Sequence, residues 1–391
     1  QEDRDSFGAD VRFLSQHTEV RILGRGDARI ALAPAYQGRV MTSTTGGMDG
    51  PSFGWLNYKV IEGGILPPDA RKGRLEDHIF IFGGEERFWM GPEGGQYSIF
   101  FAPGTKFDFE HWRTPAFLDT DPFQIAACGR DSARFTRRVE TRNYSGAEFT
   151  FDIDRTVTLL DHAAVEGIVG SPLAETVSQV AYETDNRVTN RGAAPWTRGG
   201  GLLSIWLLGM YKPGPRNTMV IPFRPGPESE LGPKVNDAYF GKVPPNYLVV
   251  KDNVLFFKGD GAWRGKIGIS TARSLGIAGS YDADLNALTL VTYNVPTEPA
   301  VYVNSMWEWQ ADPYRGDAIN AYNDGSPAPG QPPLGPFYEL ETSSPAVELA
   351  PGATLRHVQR TVHLQGPQAA LDAIARTTLG VGLRTIEEAF A

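Results

Sequence analysis

An all-β sandwich or barrel is the fold class that this sequence predicts, and three observations carry the prediction. The 44 glycines and 29 prolines are spread along all 391 residues rather than pooled in a linker. Turn signals recur about every ten residues between short β-branched and aromatic runs, the spacing of an all-β architecture. Helical periodicity is scarce. A prior of ~150 residues per domain would divide the chain into two or three units. The even punctuation instead predicts one unit over 1–391, with 1–20 as an N-terminal extension and 367–391 as a C-terminal helical tail.

Taken in order, a short helix is predicted from Asp5 to His17. Strands follow at Tyr58–Ile61 and His78–Phe82, each closed by glycines, and at Gln96–Phe101 before the Pro103-Gly104 turn. From Glu148 to Leu159 apolar and polar residues alternate almost strictly, so one face is expected to be buried. Val177–Asn190 alternates less cleanly and stops at Gly192. Tyr247–Lys258 is interrupted by Lys251-Asp252-Asn253 and reads as a hairpin. Ala287–Tyr293, Ala300–Trp307, Phe337–Ser343 and Thr354–Leu364 complete the strands, with a type II turn at Pro351-Gly352. Pro367–Thr378 reads as a helix that stops at Gly380 and buries Leu371, Ile374 and Leu379. Two Pro/Gly-rich stretches, Pro222–Pro245 and Asn323–Pro336, read as surface excursions of the kind that carry sites.

Charge and composition narrow the function. Lys and Arg number 37 against 46 Asp and Glu, a formal charge of −9. That balance argues against a general nucleic-acid binder, which needs a basic field, but not against a neutral ligand such as a sugar. The longest apolar run, Gly201–Met210, is far short of the ~20 residues of a membrane helix, so no membrane span is expected. The single cysteine, Cys128, excludes an internal disulfide and a cysteine-based zinc cluster. The chain begins at Gln1 without an initiator Met, and the expectation is a secreted or periplasmic protein whose signal peptide has been removed.

No phosphate-binding loop, nucleophile elbow or His-Glu-x-x-His motif is present. His357 and His363 lie six apart on one predicted strand, roughly 20 Å by strand rise, and read as structural. Four segments could carry chemistry. Gly83–Gly95 sets Arg87, Trp89 and Glu93 among glycines that permit close approach to a ligand; the bland alternative pairs Arg87 with Glu85 or Glu86. Glu339 and Glu341 are two apart on a strand, so both carboxylates leave one face. Mutual repulsion there would raise one pKa and leave the other ionised; the alternative is an exposed acidic edge. Asp317, Asn320, Asn323 and Asp324 place hard oxygen donors in one loop, a weak calcium pattern with no EF-hand spacing; turn-forming Asn and Asp are the simpler explanation, and no cofactor is expected. Trp89, Trp112, Trp206, Trp307 and Trp309 lie near these segments and suit sugar stacking or core filling.

Four motifs resemble the galactose mutarotase-like superfamily, the aldose 1-epimerase relatives, and within it a bacterial, often exported branch. Gly84–Glu93 is similar to the segment lining the sugar site. Val188–Gly192 with Pro195-Trp196 is similar to the strand end before the central strand. Glu341–Ala346 resembles the Glu-x-Gln-x-x-Pro-Asp-Ala segment that carries the epimerase base, and Leu349–Gly352 the turn before the last sheet strand. The resemblance implies a β supersandwich and a carbohydrate partner.

The departures from the family pattern concern the chemistry. The epimerase acid is a His, yet the corresponding strand, Leu202–Gly209, has Trp206 near that place and no His; Ser343 replaces the Gln after the base. The resemblance implies Glu341 as base with Glu339 tuning it, and Arg87, Trp89, Glu93, Trp206 and Trp307 as sugar-binding residues. His111, Glu93 and Tyr338 are the candidate acids, with His111 grouped among the catalytic candidates. Epimerisation, β-elimination from a uronic acid with Arg87 neutralising the carboxylate, and glycoside hydrolysis all stay open. So does a non-catalytic sugar-binding protein.

Overall fold

Alternation decides the sheets. Glu148–Leu159 forms a strand in which every second residue is buried. Its neighbours are Ser132–Arg142 and Ser178–Asn190, both antiparallel. The computed structural model describes residues 5–80 and 82–390. It holds a three-stranded sheet at the N-terminal end, a ten-stranded sheet and a five-stranded sheet.

The ten-stranded sheet runs, edge to edge, through Leu248–Lys251, Val254–Lys258, Asn217–Pro222, Ile277–Asp282, Ala287–Tyr293, Thr354–Gln365, Ser178–Asn190, Glu148–Leu159, Ser132–Arg142 and Gln124–Cys128. The five-stranded sheet runs through Gly265–Ser270, Asp317–Asn323, Tyr338–Ser343, Ser204–Tyr211 and Arg87–Gly91. One face of the small sheet packs on the large one. Phe135, Phe151 and Val188 meet Phe88 and Leu207 in one core cluster, and Met219, Phe257 and Val291 meet Ile267, Ile319 and Leu340 in another. The far side of the large sheet is covered by the helices His162–Val169, Gln368–Leu379 and Leu383–Glu387 through Val165, Leu371, Ile374 and Ile386.

Between the sheets lies a buried polar layer. Arg155 donates to Glu86 at 3.0 Å, and Thr184 donates to the same carboxylate oxygen at 2.6 Å. Glu85 accepts from Ser43 at 2.8 Å and lies 2.6 Å from His363 Nε2. His357 is 2.8 Å from the Thr342 hydroxyl, and burial lowers its pKa to about 3, so the ring is neutral. Both histidines are therefore interior polar groups, as the sequence predicts.

Most predicted elements form. The helix at the start spans Phe7–His17, capped by Ser6. The hairpin turns at Asp252 and Asn253, both with positive φ, as a tight two-residue loop requires. Gly352 takes φ +79 in the Pro351-Gly352 turn. The last long helix begins one residue after Pro367, which caps it rather than entering it, and stops at left-handed Gly380.

Four predicted elements are different. Tyr58–Gly63 is helical, because the Asn57 side chain caps the Val60 N–H. Of the strand predicted at 78–82, Ile81 lies outside the described residues; His78 closes a 3-10 turn, and Phe80 donates its N–H to the Asp119 side chain instead of to a strand. Gln96–Phe101 and Ala300–Trp307 are loops with isolated bridges only. Their apolar residues cover the outer face of the small sheet, and side chains such as Gln310 satisfy their backbone, bonding Asn304 and Met306 carbonyls.

Candidate functional site

The second face of the five-stranded sheet turns away from the large sheet. Because side chains alternate, Arg87 and Trp89, Trp206 and Leu208, Glu339 and Glu341, Tyr322, and Lys266 all leave on this face. Register sets them side by side: Trp89 opposite Trp206, Glu341 opposite Leu208, Glu339 opposite Tyr322, and Tyr322 opposite Lys266. They line one cavity of about 100 Å³. Loops close its sides with Glu93, Trp112 and Trp307, and both Pro/Gly-rich excursions reach it, through Phe240 and Leu334.

Glu341 is fully buried, and its Oε2 accepts from Lys266 Nζ at 2.8 Å and from Trp206 Nε1 at 3.0 Å. Its other oxygen, Oε1, is buried and has no hydrogen-bond partner among the described residues. Arg87 Nε and Trp89 Nε1 are likewise buried without a partner. Trp112 Nε1, in the same lining, is a fourth such atom, and buried polar atoms are usually paired. Glu339 is held by Arg87 in a buried ion pair, and the Arg87 guanidinium lies 4.8 Å over the Trp89 ring. Arg87 therefore does not pair with Glu85 or Glu86, which point into the polar layer between the sheets.

The charges perturb one another. Burial, followed by the neighbouring Glu341, pushes the Glu339 carboxyl upward, against the pull of Arg87. Burial also raises Glu93, to about 7; Lys266 opposes this and Glu341 adds to it. For Lys266 burial disfavours the charge, but the carboxylates of Glu341 and Glu93 outweigh it, and its net shift is upward. Lys266 is an ammonium at neutral pH, lying 4.9 Å over the Trp206 ring.

Seven of the eight sequence-predicted catalytic and binding residues meet in this cavity: Glu339, Glu341, Arg87, Trp89, Glu93, Trp206 and Trp307. His111 does not. It lines a neighbouring hollow beside Arg113, with Nδ1 2.5 Å from Asp108 Oδ1. Tyr338 faces the large sheet, its hydroxyl 2.8 Å from Ser280. Of the three candidate acids, Glu93 alone shares the cavity with Glu341.

The four oxygen-donor candidates do not share a loop. Asp317–Asn323 is a strand. Asp317 accepts from Asn236 and Tyr239 at 3.1 and 2.5 Å, and Asn323 donates to Asp260 at 2.9 Å. Asp324 accepts from the Gly335 N–H at 2.8 Å. Asn320 donates to the Ile267 carbonyl at 3.2 Å.

Lys266 and Arg264 have no motif to announce them. The one signal is a pair of cations alternating into an otherwise apolar run, Trp263–Ile269.

The fold is similar to that of galactose mutarotase-like proteins. A galactose mutarotase-like protein from Lactobacillus casei superposes with a TM-score of 0.50 at 11% identity, covering 89% of this chain and 100% of the other. The Slr1438 protein from Synechocystis sp. PCC 6803 gives 0.49 at 13%, covering 90% and 96%. A galactose mutarotase related enzyme from Lactobacillus acidophilus gives 0.46 at 9%, covering 89% and 97%. Residues 5–390 match the family described as a family of unknown function, DUF6786, and the chain belongs to that family. None of the curated proteins matches the sequence.

Proposed function

We propose that this protein is an epimerase-like carbohydrate isomerase, with Glu341 as base and Glu93 as acid. The observation that carries the reading is the orphaned Glu341 Oε1 in a cavity walled by Trp89, Trp206 and Trp307. Lys266 and the Trp206 N–H occupy Oε2. They hold the carboxylate in place and leave Oε1 to accept a proton from a sugar hydroxyl. Flat aromatic faces suit the C–H faces of a pyranose ring.

In this reading Oε1 takes the proton of the anomeric hydroxyl. Glu93, with a pKa near 7, gives its proton to the ring oxygen. The C1–O5 bond breaks with its electron pair going to oxygen, while the former hydroxyl oxygen becomes the aldehyde carbonyl. Rotation about the C1–C2 bond and the reverse transfers close the ring as the other anomer. A general acid works best with its pKa close to the working pH, which supports Glu93 in the role the family's His would fill. Arg87 is already committed to Glu339, so the β-elimination reading loses the cation assigned to it.

The test is one-dimensional proton NMR of freshly dissolved single anomers. Wild type is expected to speed their exchange above the spontaneous rate, and Glu341→Gln is expected to abolish the excess. One observation favours a second reading, a non-catalytic sugar-binding protein: both Glu341 and Glu339 already carry a cationic partner. Ligand line broadening with no acceleration in wild type would select it.

A further inference from the structure

Arg264 is a cation of this cavity that interacts with the Tyr322 hydroxyl but, among the described residues, has no carboxylate partner. It lies two residues before Lys266 and lines the same cavity. Its guanidinium sits 3.9 Å from the centre of the Phe240 ring, which comes from the 222–245 excursion. Phe240 lines the cavity and yet remains 41% exposed, which places this pair at the mouth. The other two cations of the lining are taken, Arg87 by Glu339 and Lys266 by Glu341. Among the described residues no carboxylate oxygen lies within 4.0 Å of Arg264. Glu93 and Asp324 feel its charge at longer range. The Asp324 carboxylate is engaged by the Tyr322 hydroxyl and the Gly335 N–H, each at 2.8 Å.

We propose that the sugar taken by this cavity carries an anionic substituent, a carboxylate or a sulfate, and that Arg264 binds it. This rests on the carbohydrate reading above and names the substrate class for it. A guanidinium offers a planar fork of donors that matches a carboxylate or sulfate through two parallel hydrogen bonds. The Phe240 ring keeps that fork in one plane, so less freedom is lost when the anion arrives.

The experiment is titration calorimetry of wild type, Arg264→Gln and Arg264→Lys. The probes are glucuronate and galacturonate, 6-sulfated glucose and galactose, and the neutral parent sugars. Wild type is expected to prefer at least one anionic probe over its neutral parent, and whether the uronates or the sulfates win identifies the substituent. Losing a charge-assisted fork should lower that preference by about 10–100-fold in Arg264→Gln, with Lys restoring part of it. The preference of wild type should also shrink as salt is raised, a readout that needs no variant. Equal affinity of wild type for charged and neutral sugars, or a preference that survives in Arg264→Gln, overturns the proposal while leaving the carbohydrate reading standing. Failure of every sugar to bind removes both.

Discussion

Lys266 Nζ lies 2.8 Å from Glu341 Oε2, and both side chains are buried on the outer face of the five-stranded sheet. A lone charge at either position would be left uncompensated in a poorly solvated place. Removing one partner of such a pair costs about 3–5 kcal/mol, whereas removing both costs far less. Lys266→Met and Glu341→Gln should each lower the unfolding free energy by about that amount. The double variant should then recover at least ~1.5 kcal/mol relative to the sum of the two. Urea unfolding of the four proteins measures this coupling, and strict additivity would show that the contact carries no energy.

Glu93 sets the alkaline limit of activity in the proposed mechanism, since it must hold a proton to act as acid. It faces Lys266, Glu341, Arg264 and Trp307, and its pKa is about 7. The rate constant kcat/KM should therefore fall as pH rises through about 7. Glu93→Gln should lose about 10²–10⁴ in rate, and the residual activity should no longer show that limb. A variant that retained the limb would move the acid role elsewhere.

The same carboxyl makes stability depend on pH. Its folded pKa, about 7, stands above the ordinary 4.5, so between those values the folded chain holds a proton that the unfolded chain has lost. Stability from this group is then fully present below about 4.5 and declines as pH rises to about 7, by at most roughly 3 kcal/mol. Thermal unfolding from pH 5 to 8 should fall less steeply in Glu93→Gln than in wild type.

Trp206 has two roles that substitution separates. Its ring lines the cavity, and its N–H donates to Glu341. Trp206→Phe keeps a flat apolar face and drops the donor, so turnover should fall about tenfold, the worth of one hydrogen bond to a charged group, with sugar affinity changing little. Trp206→Ala should weaken affinity as well. Steady-state kinetics paired with calorimetry distinguishes the two, and full turnover in Trp206→Phe would remove the role of the N–H.

Arg155 tests the polar layer instead of the site. It is fully buried and donates to Glu86 and to Asn186, the latter at 2.7 Å. Arg155→Met should cost about 3–5 kcal/mol by stranding Glu86. Molecules that remain folded should bind sugar normally, because Glu86 and Asn186 do not line the cavity. Chemical denaturation and calorimetry on one preparation report both quantities.

Local pattern accounts for the strands and for half of the chemistry. Period-two alternation makes Glu148–Leu159 a strand with one buried face, and the same rule sends Glu339 and Glu341 out of one face of another. Both are properties of neighbours in sequence, so the sequence by itself determines them. Apolar runs such as Gln96–Phe101 are misleading for the converse reason. Burial alone does not distinguish a strand from a loop laid over a sheet; hydrogen bonding to distant partners such as Gln310 decides it.

The tertiary structure alone decided what each charge meets. Lys266 is 75 residues from Glu341, and Arg87 is 252 from Glu339. No spacing rule spans such distances, and Arg87 had nearer acids in Glu85 and Glu86. Register across Gly265–Ser270, Asp317–Asn323, Tyr338–Ser343, Ser204–Tyr211 and Arg87–Gly91 brings these partners onto one face. It leaves His111 in a separate hollow and spreads Asp317, Asn320 and Asn323 along a strand. Side-chain direction is a local consequence of the backbone, whereas pairing between strands is set by packing of the whole chain.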